Sequence, residues 1–92
     1  MIIYRSHRGS LEEAMKTVVE FDNLEDLKLH VCDEHNSLWG REILRPDDII
    51  IGNDTINDTR IGWKETRHVL VKRMGNRIYE HPQCVGFCWI KN

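Results

Sequence analysis

Two cysteine–histidine pairs of mirrored spacing, Cys32-x-x-His35 and His81-x-x-Cys84, stand out among the 92 residues as groups that can do chemistry. Two thiolates and two imidazoles match the donor set of a tetrahedral zinc site. Cys32, however, falls on or beside the apolar stripe of a predicted helix, and Cys84 falls in an apolar run. Both read more naturally as core, and His81 beside Pro82 reads as loop. Structural zinc is usually held by tight, loop-borne knuckles, so the core reading is preferred and no cofactor or metal is expected.

A second group is Arg5, His7 and Arg8 ahead of Ser10. A helix N-terminus offers free N–H groups, and neighbouring guanidinium groups add charge with bidentate geometry, which together make an anion site for phosphate or carboxylate. The competing reading is a solvated loop whose arginines pair with Glu12 and Glu13. It is favoured because Ser10-Leu11-Glu12-Glu13 is a capping box that already satisfies its own first turn. A third group is basic: Arg60, Lys64, Arg67, Lys72, Arg73 and Arg77, with Trp63 at its start and Trp89 opposite. Phosphate contacts and base stacking need such residues. Neighbours on a strand point to opposite faces, though, so Lys72 and Arg73 do not share a side, and nucleic acid is the less favoured partner. The loop Asn53-Asp54-Thr55-Ile56-Asn57-Asp58 is rich in oxygen but lacks the spacing of a calcium loop. Asp58 reads there as a turn residue placed to pair with Arg60. None of the motifs G-x-S-x-G, G-x-x-x-x-G-K, H-E-x-x-H or C-x-x-C occurs, which leaves His7 as the acid–base candidate for an enzyme.

These residues must be placed by a small number of elements. Ile2 to Tyr4 is strand-prone, and the capping box starts a helix near Leu11. One or two turns of that helix then give way to the β-branched, aromatic run 17–21, read as a strand. Asp22 or Asn23 caps a second helix expected over 23–35. Leu24, Leu27, Val31 and Leu38 share its apolar stripe, and Asn36 ends it in a left-handed conformation. A strand is expected over 48–52, a loop over 53–59, and a long strand within 61–74 centred on Val69-Leu70-Val71. The chain then turns at Gly75-Asn76 and returns through Arg77-Ile78-Tyr79 and Cys84 to Ile90, with Pro82 breaking the return. The fold class expected is α+β: one main helix packed on a three- to five-stranded, mostly antiparallel sheet with a C-terminal hairpin, in a single domain over 1–92.

Composition agrees with such a domain, since 40% of residues are hydrophobic and 30% charged. No apolar run approaches the roughly 18 residues that cross a bilayer, and no secretory signal opens the chain, so a cytoplasmic protein with no membrane association is expected. Three cysteines are an odd number and point away from a disulfide framework. Charge is unevenly spread: residues 11–59 hold thirteen acids and four bases, whereas residues 60–92 hold seven bases and two acids. The reading preferred here is internal complementarity between a helix and a hairpin, ahead of a partner surface.

Three separated segments coincide in a further way: Tyr4-Arg5-Ser6-His7-Arg8-Gly9-Ser10-Leu11-Glu12-Glu13-Ala14-Met15, Arg60-Ile61-Gly62-Trp63 and Val85-Gly86-Phe87. In that order, and across nearly the whole chain, they resemble a family of small uncharacterised phage and prophage proteins. The resemblance implies an accessory protein and carries over no catalytic residues. It also implies that the first two motifs sit together, with Trp63 closing over the N-terminal loop. The function expected is a non-enzymatic interaction module, binding a protein partner or itself through a sheet edge or a surface formed by Arg60, Trp63 and Arg67. The alternative is an anion or nucleic-acid binder using Arg5, His7, Arg8 and the basic hairpin.

Overall fold

The computed structural model describes residues 1–39, 44–59, 61–72 and 83–91. In chain order the elements are β1 (Ile2–Ser6), α1 (Leu11–Met15), β2 (Val19–Phe21), α2 (Leu24–Trp39), a 3-10 turn (Pro46–Asp48), β3 (Ile49–Asp58), β4 (Trp63–Val71) and β5 (Gln83–Ile90). The strands form one sheet in the order β2-β1-β5-β4-β3, and every neighbouring pair is antiparallel. The α+β architecture read from the sequence is therefore present, with the N- and C-terminal strands side by side in its middle.

Local chemistry explains most of the boundaries. Ser10 caps α1 by accepting from the Glu13 amide at 3.2 Å, and the helix yields at Thr17 to the branched residues of β2. Asn23 caps α2, its Oδ1 accepting from the Asp26 amide at 2.9 Å, with Glu25 and Asp26 at the positive end of the helix dipole. This helix runs past the expected end at residue 35, because Asn36 does not terminate it. Its side chain instead donates to the Leu44 carbonyl and accepts from the Leu44 amide, both at 3.0 Å, pairing with that main chain as a neighbouring strand would. The stretch expected as a loop over 53–59 is mostly strand. Its turn-forming residues survive as irregularities, with register shifts between Ile51 and Thr55 and between Ile56 and Asp58, while pairing to β4 overrides local preference. The return hairpin forms between β4 and β5. Its expected turn at Gly75-Asn76, Arg77-Ile78-Tyr79 and Pro82 lie outside the described residues.

One face of the sheet packs on α2. Ile2 and Tyr4 of β1, Cys88 of β5, Val69 and Val71 of β4 and Ile49 of β3 enclose a core with Leu27, Val31 and Cys32 of the helix and with Leu44. Leu27 and Val31 occupy the buried stripe as expected, whereas Leu24 is exposed. Gly86 is required on β5: a Cβ there would lie 2.6 Å from the Arg5 carbonyl oxygen and 2.6 Å from Cε2 of the Tyr4 ring.

The register places Arg5, Phe87 and His68 in one row across the face turned away from α2, and Ile3 and Trp89 in the next. This face is not flat. Strands β1 and β3 are separated by β5 and β4, about 14 Å in a flat sheet. Yet Arg5 Nη2 and Asp58 Oδ2 meet at 3.1 Å. The far end of the β3–β4 ribbon must therefore curl over the sheet. The two shifts in β3 and a left-handed backbone at Glu65 (φ 54°) lie in the bent part.

Candidate functional site

The curl brings together residues that are remote in sequence. Arg5 is 5% exposed, and its guanidinium carbon lies 4.6 Å from the centre of the Phe87 ring. Asp58 supplies the opposing charge, and both side chains are nearly excluded from water. Asp58 thus pairs with Arg5 across the sheet; Arg60, the partner the sequence suggested, lies outside the described residues. Beside this pair, Trp63 is buried and stacks on Trp89, ring centres 6.4 Å apart at 28°. The ion pair and the indole stack fasten the ribbon tip to the sheet at two points.

Beyond Trp63 the tip borders an open hollow of about 500 Å³, lined among the described residues by Asn57, Thr59, Gly62, Trp63, Lys64 and Glu65. Its rim is shaped by one hydrogen bond: the Glu65 amide donates to Asn57 Oδ1 at 3.0 Å and holds Glu65 in its left-handed conformation. Gly62 is also left-handed (φ 73°), a conformation that suits glycine and lets the turn close.

The four residues read as an anion site do not converge. Arg5 lies under the ribbon, whereas Arg8 lines a narrow cleft on the helix side with Tyr4, Val31, Glu34, His35 and Val85. The Arg8 amide donates to Ser6 Oγ at 3.1 Å, Ser10 is occupied as a helix cap, and His7 is exposed. In the cleft, burial raises the Tyr4 phenol well above its usual range, with Glu34 adding to the effect. Burial lowers His35, reinforced by the Arg8 charge, so its imidazole is held neutral.

The residues read as an interaction surface divide as well. Trp63 is buried against Trp89 instead of closing over the N-terminal loop, although Asp58, its partner in the β3–β4 register, does reach Arg5. Arg67 is half-buried and donates to the Asn53 carbonyl at 2.9 Å, bracing β3. Among the described residues the Arg5–Asp58 ion pair joins β1 to β3, and His30 Nε2 lies 3.3 Å from Glu34 Oε2 within α2. Glu25, Asp26 and Asp33 on α2 face solvent, and Arg60, Arg73 and Arg77 of the basic segment lie outside the described residues.

Of the mirrored cysteine–histidine pairs, Cys32 is in the core, as its apolar setting implied, and His81 lies outside the described residues. Cys84 is half-buried with its Sγ 3.8 Å from His68 Nδ1, a partner that its spacing to His81 did not suggest. Among the described residues no group of three or more His, Cys, Asp or Glu is arranged to hold a metal ion. Burial pushes the Cys32 and Cys88 thiols up to about 11, so both are poor nucleophiles near neutral pH. The contributions of Asp58, His68 and Asn57 were hidden in the sequence because each acts through a partner on another strand or across a bend. No helix among the described residues is long and apolar enough to cross a membrane.

Comparison with known proteins adds no relative: no family model, no curated protein and no solved structure matches the chain.

Proposed function

We propose that the protein is a phage- or prophage-type accessory protein that acts as a non-enzymatic protein-interaction module, engaging its partner along the free edge of β3. The observation that carries this reading is the position of β3. It is ten residues long and pairs with β4 on one side, and no strand lies beyond it among the described residues. Such an edge presents a row of main-chain donors and acceptors that a partner's extended segment can complete. The chemistry of the side chains supports a binding role over catalysis. The Cys32 and Cys88 thiols and the Tyr4 phenol are kept protonated by burial, and Arg5 is committed to Asp58. That commitment also removes the central cation of the anion-binding alternative. The three-motif resemblance is what supports the phage or prophage origin.

A photo-crosslinking residue at Thr55, exposed on β3, tests the proposal against one at Lys16, exposed beside α1. A defined protein adduct from host or phage-infected extract at position 55, absent at position 16, is expected. If position 55 gives no adduct and the purified protein sediments as a monomer, the module reading is wrong.

A further inference from the structure

Cys84 is a thiol that the protein-interaction role does not use, and an irregularity in the sheet decides where it points. Cys84 and Cys88 are four residues apart and would share one face of a regular strand. β5 is not regular. Its register with β4 shifts so that Gly86 stands opposite Val69 and Cys84 opposite Leu70, with Val85 left between them. The extra residue turns Cys84 to the face away from α2, while Cys88 stays in the core with 0% exposure. Bulges re-aim side chains in this way beside reactive sites.

On that face Cys84 meets His68. Its Sγ lies 3.8 Å from His68 Nδ1, and the imidazole packs on the Phe87 ring with centres 5.3 Å apart. Both residues are half-buried, open to a small reagent. A thiol in contact with an imidazole nitrogen is a nucleophile beside its base. The thiol hydrogen has a second acceptor, the Gly86 carbonyl oxygen at 3.4 Å from Sγ. Only the imidazole, in the tautomer whose own proton is on Nε2, can take that proton away from sulfur. Neither of the other thiols can resolve a bond formed at Cys84, since Cys88 faces the opposite side of β5 and Cys32 is buried on α2. The second sulfur must come from outside the chain.

We propose that Cys84 is a site of thiol–disulfide exchange with small-molecule disulfides, with His68 as its base. The Cys84 sulfur attacks one sulfur of a disulfide R–S–S–R as its proton passes to Nδ1. The new S–S bond forms as the old one breaks, and the departing thiolate takes the proton from the imidazolium and leaves as R–SH. The disulfide is reduced by two electrons, and Cys84 ends as the mixed disulfide Cys84–S–S–R. An excess of free thiol reverses the exchange.

The test treats the whole protein at neutral pH with 2-hydroxyethyl disulfide and follows it by mass spectrometry of the intact chain and its peptides. A single adduct at Cys84 is expected, with Cys32 and Cys88 unmodified, forming about threefold faster in the folded protein than in concentrated urea. His68→Phe keeps a ring against Phe87 without a base, and His68→Gln keeps a polar side chain without one. Each should slow the adduct about tenfold in the folded protein and leave the rate in urea unchanged. The proposal is overturned if Cys84 reacts no faster folded than unfolded, if Cys32 or Cys88 is modified first in the folded chain, or if a folded variant reacts at the parent's rate. Thermal melting identifies a variant that does not fold, and the comparison of folded with unfolded parent decides without it. None of these results bears on the crosslink at position 55, so exchange at Cys84 and the β3 edge stand or fall separately.

Discussion

Arg5 carries a full charge into the space between Phe87 and Asp58, where 5% of its surface remains exposed. A lone ion in such a place is strongly disfavoured, and its partner is what makes the position tenable. Arg5→Met should therefore lower stability by about 3 kcal/mol, because the buried pair loses one of its two charges. Arg5→Met combined with Asp58→Leu should cost less than the sum of the two single changes. Urea unfolding of the three variants measures the coupling, and strict additivity would show that the pair contributes nothing. The cysteines make a second residue-scale prediction. Cys32 and Cys88 are raised from the usual 9.0 to about 11, so the folded state resists their ionisation more than the unfolded chain does. The stabilisation this gives is fully present below about pH 9 and is lost as pH climbs towards 11. A Cys32→Ala, Cys88→Ala double variant should show a flatter alkaline stability profile. In the native parent at pH 8, a thiol reagent should label Cys84 first and the other two only after unfolding.

At the scale of elements, Asn36 joins α2 to the chain that follows it. Its amide satisfies both main-chain groups of Leu44, a residue with 1% exposure. Asn36→Ala leaves a partly buried donor and acceptor unmet and should cost about 2 kcal/mol. Asn36→Asp should be at least as damaging, since an oxygen would then face the Leu44 carbonyl. Thermal unfolding checks both, and a loss below about 0.5 kcal/mol for Asn36→Ala would mean that water replaces the side chain without penalty. The β3–β4 ribbon is the other element whose behaviour depends on context. Residues 53–58 have the composition of a turn, but Arg67 draws the Asn53 carbonyl toward β4, and the pairing Thr55–Arg67 and Ile56–Thr66 extends the strand. Composition shows there as bulges and a bend, which is what lets Asp58 reach Arg5.

The whole molecule is organised around a pairing between its two ends. β5 lies between β1 and β4, and the Lys91 amide donates to the Met1 carbonyl at 2.9 Å. Remove β5 and the sheet separates into two ribbons with no strand pairing between them, joined only through side chains such as Arg5 and Asp58. A chain ending at Lys72 should accordingly show no cooperative thermal transition, whereas the full chain melts in one step. A sharp melt of the shortened chain, followed by circular dichroism, would contradict this account. The same topology means that the central contacts span almost the entire sequence, so folding cannot complete on local contacts alone.

Much of this architecture was legible in one dimension. The Ser10 cap, the start of α2 at its Asn23 cap, the Leu27–Val31 stripe and the apolar strands at 49–51 and 69–71 each follow from interactions within a few residues, which a sequence records directly. The candidate sites were less legible. That Arg5, His7 and Arg8 precede a capped helix is plain from the sequence, but which face of β1 each cation serves depends on strands far along the chain. Tertiary structure alone decided that Asp58 answers Arg5, that Trp63 finds Trp89, that His68 sits beside Cys84, and that a hollow opens between Asn57 and Glu65. The physical reason is common to all four. Each depends on sheet register and on the curl of one ribbon, and those are properties of strand pairing across the molecule that no local stretch of residues contains.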